Sequence, residues 1–243
     1  MKGCDFTELH KFFCKIAGIK IEILCRYPFT YNLCKQYLIP ETPCDISVCA
    51  DDEDIKHELS LSTVTDIGYC ESICIYRKIC HAIPKLGAVM FHSSCVAVND
   101  EAYAFFGQSG AGKSTHTRLW KELLGDKMTV INGDKPIYKY ENGTLIAYGA
   151  PWCGKEGEQS NISAPLKAIC LITKAKENSI RELSGDEAAE KIINQVLIPN
   201  DAESVVATFD FLDRMLKDIK VYELCCNISK EAAELSYNTM KGI

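Results

Sequence analysis

Gly107-Gln108-Ser109-Gly110-Ala111-Gly112-Lys113-Ser114 is the stretch on which the rest turns. It fits the phosphate-binding P-loop (Walker A) pattern of Gly, four residues, Gly, Lys, then Ser or Thr. Glycines allow backbone angles closed to other residues, so successive amide N–H groups can face phosphate oxygens, helped by the N-terminus of the helix that follows. Lys113 supplies positive charge, and Ser114 a hydroxyl for Mg²⁺. The other meaning of such a stretch is a glycine-rich turn that only caps a helix. Its flanks bear on the choice. Before it, Glu101-Ala102-Tyr103-Ala104-Phe105-Phe106 reads as a strand, and after it residues 114–124 read as an amphipathic helix with Leu119, Trp120, Leu123 and Leu124 on the buried side. Strand, glycine loop and helix is the order the pattern requires.

Outward from the loop, residues 128–131 form a short apolar strand, and Asp134 follows at its carboxyl end, where ligands of α/β sheets bind. Asp134 is therefore a candidate magnesium ligand; its alternative is a turn residue in an Asn-Gly-Asp hairpin. Residues 149–157, Gly-Ala-Pro-Trp-Cys-Gly-Lys-Glu-Gly, have the composition of a loop placed over a site. Further on, a continuous apolar strand is predicted at 167–173, a helix from Ser184 to Leu197 before Pro199, another at 202–218, a strand at 221–226 and a terminal helix at 230–240. Upstream, alternation predicts one strand over 15–25, a helix over 31–37, a strand over 45–49, a solvated helix start at the acidic residues 51–54, and a longer helix over 66–81. Those acidic residues lack the spaced ligands and Gly of a calcium loop. A soft boundary falls near residue 85.

Composition narrows the possible functions. The 243 residues are 47% hydrophobic and 25% charged with a net charge of −6, so no basic surface for nucleic acid is expected. The apolar runs fall far short of the roughly 20 residues of a membrane span, so no membrane partner is expected either. After Met1, Glu8, His10 and Lys11 interrupt any signal-type core, which points to a cytoplasmic protein. In that compartment the 14 cysteines are expected to be reduced. Cys70, Cys74, Cys80 and His81 could be taken for a metal cluster, but their spacing fits thiols packed on a helix face better.

The segment His92-Ser93-Ser94, the hairpin-like residues 95–100, the loop and the Asn-Gly-Asp after the next strand together resemble the C-terminal kinase domain of HPr kinase/phosphorylase, whose fold is shared with phosphoenolpyruvate carboxykinase. In those kinases a His precedes the first loop Gly by fifteen residues, as His92 precedes Gly107 here. The resemblance covers residues 86–155. The phrases His-Thr-Arg-Leu-Trp and Gly-Lys-Glu-Gly, at 116–120 and 154–157, extend it to HPr-kinase-like proteins of anaerobic bacteria. It implies an α/β fold: an HPr kinase and PEP carboxykinase-like P-loop domain with a mixed sheet at residues 86–243, and a small N-terminal α+β region, residues 1–85, packed on it.

It also implies a function: an ATP- and Mg²⁺-dependent, cytoplasmic, HPr kinase-like transferase that moves the γ-phosphoryl group to a hydroxyl, a Ser of a protein or peptide, with a homo-oligomer compatible. The nucleotide would lie on Gly107, Ser109, Gly110, Ala111, Gly112, Lys113, Ser114 and Thr115, with Arg118 as a phosphate clamp or a solvent-facing residue. Ser114 and Asp134 would hold the metal. Lys113, Asp134 and His92 would act in catalysis, His92 near the γ-phosphate or orienting the aspartate, or else as a structural histidine. Two departures stand out. The second aspartate of the family's pair falls on Gly133 or Lys135, and Ile146-Ala147-Tyr148 offers no counterpart to its metal-binding Glu. Glu156 is the candidate replacement acid, Lys155 a candidate for phosphate charge, and Trp152 either a stacking surface or a hydrophobic plug. The alternatives are a nucleotide-binding regulatory or maturation-partner protein with little phosphotransfer, and a nucleotide hydrolase.

Overall fold

In the computed structural model, which describes residues 9–242, the alternating apolar stretch near the start makes two strands rather than the single one expected over 15–25. β1 (His10–Ile16) and β2 (Ile19–Cys25) pair antiparallel, because Ala17 and Gly18, at φ +50° and +75°, reverse the chain between them. Two left-handed residues are what a tight hairpin turn demands. Ala is a rare choice for the first, so the turn carries no Asn-Gly signature. The opening residues 1–8, on which the expectation of no leader partly rests, lie outside the described residues.

The helix expected at 31–37 is displaced. α1 (Pro28–Leu33) begins at Pro28, whose missing N–H costs nothing in a first turn, and gives way to a 3₁₀ turn at Lys35–Tyr37. β3 (Leu38–Ile39) and β4 (Ile46–Cys49) complete a four-stranded sheet in the order β3-β1-β2-β4. α2 (Asp52–Leu61) starts on Asp51, whose carboxylate accepts from the amides of Glu53 and Asp54 at 3.0 and 2.8 Å. The acidic run is thus a capping box. α3 (Ile67–Ala82) then lies along this sheet with Cys70, Cys74 and Cys80 buried, while Arg77 faces out to pair with Glu58. Every cysteine among the described residues is free, and none of these residues form a cluster suited to a metal.

The second sheet has nine strands. β5 (Ala88–Met90), β6 (Ser93–Val98) and β7 (Glu101–Phe106) precede α4 (Lys113–Leu124); β8 (Met128–Asn132), β9 (Ile137–Glu141), β10 (Thr144–Tyr148), β11 (Ser163–Lys174) and β12 (Ser179–Glu182) precede α5 (Gly185–Ile192) and α6 (Ala202–Asp218); β13 (Lys220–Cys226) and α7 (Lys230–Lys241) end the described chain. The order is β5-β9-β10-β11-β7-β6-β8, with β13 also on β11 and β12 on β13. The sheet is mixed: β7, β11 and β13 run parallel, whereas β6 runs against both β7 and β8. The helix expected over 184–197 is shorter, since α5 ends at Ile192 and a 3₁₀ turn at Ile193–Gln195 follows. None of the helices is long and apolar enough to cross a membrane, among the described residues.

Each face of this sheet has its own core. α4 and α7 cover one, where Trp120 is fully buried against Tyr103 and Phe105. α5 and α6 cover the other, around Phe91, Phe106 and Met215. Leu119, Leu123 and Leu124 of α4 pack against the Trp120 core as expected, though half-buried, and His116 and Thr117 are buried beside Trp120 as well. A third core joins the small sheet and α3 to Met90 and Ile137 of the large one and to Ala150 and Trp152 of the loop after β10, so apolar packing is continuous between the two layers.

Candidate functional site

Because β7, β8, β11 and β13 point the same way, their carboxyl ends meet at one edge of the sheet, and the glycine loop leaves β7 there. Gly107 approaches the backbone so closely that a Cβ would come within 3.1 Å of the Ile172 carbonyl oxygen. Gly112, the residue before α4, sits at φ +110°, a conformation that L side chains resist. No side chain caps α4, so its first amides keep the unpaired N–H groups that every helix start presents. Lys113 is buried and folded back onto the loop, with Nζ donating to the Gly107 carbonyl at 2.8 Å; burial pushes its pKa down, against the pull of nearby Asp134.

A cavity of about 600 Å³ opens over this loop. The structure brings Ser109, Gly110, Ala111, Gly112, Lys113, Ser114 and Thr115 to its wall, together with His92, Asp134 and Glu156 from other segments. Gly107 lies behind the loop, on a second crevice. Arg118 does not join them: it is exposed on α4 and reaches toward Glu122 at 3.8 Å, since a side chain five residues into the helix has turned away from the helix start. Lys155 is exposed and does not border the cavity. Trp152 is 5% exposed, donates from Nε1 to Ser72 Oγ at 2.9 Å and lies against Tyr76; it is the plug, not a stacking surface.

Asp134 is not a hairpin residue, because β8 pairs with β6 and β9 with β10 and β5. The turn holding it is built by Asn132. That fully buried side chain accepts from the amides of Asp134 and Lys135 at 2.9 and 2.7 Å and donates to the carbonyls of Ala150 and Trp152 at 3.0 and 2.9 Å. One amide thus ties the Asp134 turn to the 149–157 loop. At Gly149 a Cβ would fall 1.8 Å from the Ser160 carbonyl oxygen, so only glycine fits.

The Asp134 carboxylate takes a hydrogen bond from His92 Nε2 at 2.9 Å on one oxygen and an ion pair from Lys135 on the other. Burial alone would raise its pKa, but these two partners outweigh it and hold the group well below the usual carboxylate range. It is an anion throughout the neutral range. Lys135 thus brings positive charge to this carboxylate. His92 is fixed from behind: its amide donates to the Gln195 carbonyl at 2.7 Å, and the Gln195 side chain, oriented to satisfy its neighbours, donates to the carbonyls of Gly107 (3.0 Å) and His92 (3.3 Å). Sequence reading missed Asn132, Lys135 and Gln195. Asn132 carried a signal, a polar residue closing an apolar strand; Gln195 carried none, since its partners are distant in the chain. His116 also borders the cavity but is 2% exposed and bonded to Ser236 at 2.9 Å, and burial lowers its pKa to about 4.

No cluster of three or more metal-ligating side chains occurs among the described residues. Mg²⁺ needs few of them, as one or two carboxylates suffice when phosphates and water complete the shell. Ser114, Asp134 and Glu156 border one cavity, and a hydroxyl and carboxylates are ligand types that Mg²⁺ accepts.

No protein-family model matches the chain, and no curated protein matches it. Among solved structures, the Hpr(Ser) kinase/phosphatase from Coxiella burnetii aligns with 63% of this chain and 99% of its own, at 11% identity and a TM-score of 0.33. A likeness at that level fixes no family and transfers no activity.

Proposed function

We propose that the protein binds ATP on its glycine loop and transfers the γ-phosphoryl group to a hydroxyl, a serine of a protein or peptide, as a kinase of the HPr kinase-like type. One observation carries this: buried Lys113, the uncapped start of α4 and the His92–Asp134 pair border a single cavity. Phosphoryl transfer asks a protein mainly for positioning and charge neutralisation. Loop amides and Lys113 would hold the β- and γ-phosphates. Asp134, across the cavity, is the residue to receive the acceptor proton, with His92 fixing its orientation; paired with Lys135 it is a weak base, and release of that lysine raises its proton affinity. Ser114 and Asp134 would hold Mg²⁺ bound with the nucleotide, with Glu156 as a further acid, and the ion would supply charge neutralisation at the phosphates.

A second reading has its own support. The missing second aspartate, which falls on Gly133 or Lys135, and the engagement of both oxygens of Asp134 by His92 and Lys135 suit a nucleotide-binding regulatory or maturation-partner protein with little transfer. Incubation with γ-labelled ATP, Mg²⁺ and candidate serine acceptors separates the two. Label on the acceptor, lost in both Lys113→Ala and Asp134→Asn, upholds the kinase; tight nucleotide binding without transfer upholds the regulator.

A further inference from the structure

The cavity over the glycine loop has two unlike ends. His92, Asp134 and Glu156 make one of them charged. At the other, where β11 and β13 finish, the wall is made by Leu119 of α4, Ile172, Ala175, Cys226 and Ile228, with Asn227 and Lys174 beside them. Ile228 is the unusual member. It is 74% exposed, more than any other large hydrophobic residue among those described, and it stands at the lip of the cavity.

Its exposure is built in. The turn that carries Ile228 is pinned on both sides: the Asn227 amide donates to Asn178 Oδ1 and the Asn227 side-chain amide to the Lys176 carbonyl, each at 3.0 Å, while Ser229 receives Asn178 Nδ2 at 3.1 Å and caps α7. These bonds hold the backbone on either side of Ile228 in place. Leaving its side chain in water is unfavourable unless something apolar covers it.

We infer that this apolar end is the seat of a purine base, held between Leu119 and Ile228 by contact with its faces. The inference rests on the proposed phosphate role of the glycine loop and specifies what lies beyond the phosphates. A nucleoside triphosphate has one highly charged end and one flat, weakly polar end. With its phosphates on the loop, the base must extend to one side, and the acids at the His92 end disfavour an uncharged ring there. The opposite end offers apolar walls. Its one side-chain amide, on Asn227, is held to the turn by donating one N–H to the Lys176 carbonyl. Recognition by apolar contact alone discriminates poorly between similar rings, whereas reading a ring's polar edge would separate them by about 10⁴. Adenine and guanine are therefore accepted alike.

Calorimetric titration of the full chain with Mg²⁺ and ATP, GTP or inorganic tripolyphosphate tests this, using wild type and Ile228→Ala, an exposed substitution that leaves the cores untouched. ATP and GTP are expected to bind within about tenfold of each other and at least about tenfold more tightly than tripolyphosphate. Ile228→Ala is expected to weaken both nucleotides about fivefold and tripolyphosphate not at all. Nucleotides that bind no better than tripolyphosphate, an unchanged variant, or an edge-reading preference near 10³ for one purine would overturn the base seat while leaving the phosphate loop standing. Binding by none of the three would remove the loop's role, and this inference with it.

Discussion

The two walls of the cavity are made in opposite ways. The loop wall is one continuous stretch between β7 and α4, and its chemistry comes from backbone geometry, a helix start and one lysine folded onto its own loop. The acid wall is assembled from His92, Asp134 and Glu156, with Lys135 paired to Asp134, on three segments held together by the buried amides of Asn132 and Gln195. A local wall tolerates much change elsewhere in the chain. An assembled wall depends on residues that never touch a ligand.

If the loop wall binds and the acid wall reacts, substitutions on each fail differently. Lys113→Ala is expected to lower nucleotide affinity and transfer together by about a hundredfold or more, whereas Asp134→Asn lowers transfer by about a hundredfold and changes affinity for the metal-free nucleotide less than about threefold. Binding measured beside label transfer decides, and an equal loss of binding in Asp134→Asn would erase the division between the walls. Next in size is Asn132→Ala. It deletes four hydrogen bonds and leaves buried carbonyls and amides unpaired, at a cost of about 3 kcal/mol in urea unfolding, with faster proteolysis near residue 155. A loss below about 1 kcal/mol would mean that the acid wall does not hang on this amide.

The pH dependence of stability sharpens the contrast further. His116 behind the loop wall has a folded pKa of about 4, below its ordinary 6.5, so the unfolded chain takes the proton first and stability falls as pH drops between those values. The loss between pH 7 and pH 5 is about 2 kcal/mol, and His116→Gln flattens it. Asp134 acts lower. Its depressed pKa gives stability that is complete above its ordinary 3.8 and lost only as pH falls below that value. Parallel pH profiles in wild type and His116→Gln would count against a buried neutral histidine. The smallest effect belongs to Arg118→Ala, expected to change nucleotide affinity less than about twofold, because its exposed pairing with Glu122 lies off the cavity.

Long, strongly patterned elements were legible from the residues alone. Asp66 and Asp201 announce α3 and α6 and cap them, and the apolar run of β11 needs no partner to be recognised. β4 and β8 were also legible, but several other short strands were not. β5, β9, β10 and β12 are three to five residues long, and what makes them strands is the neighbour each pairs with. The hairpin of β1 and β2 escaped because Ala17 takes a conformation usually given to Asn or Gly. Among site residues, Trp152 could be stacking surface or plug by composition, and only its bond to Ser72 of α3 decides.

By its sequence alone this protein is committed to a glycine loop between a strand and a helix, because backbone angles and helix starts depend on neighbours a few residues away. Tertiary structure decides everything that requires two distant segments to meet: that Asp134 has His92 and Lys135 as partners, that Arg118 looks elsewhere, and that Ile228 stands at the cavity's lip. Burial and charge pairing are properties of the packed chain, and spacing along it does not encode them.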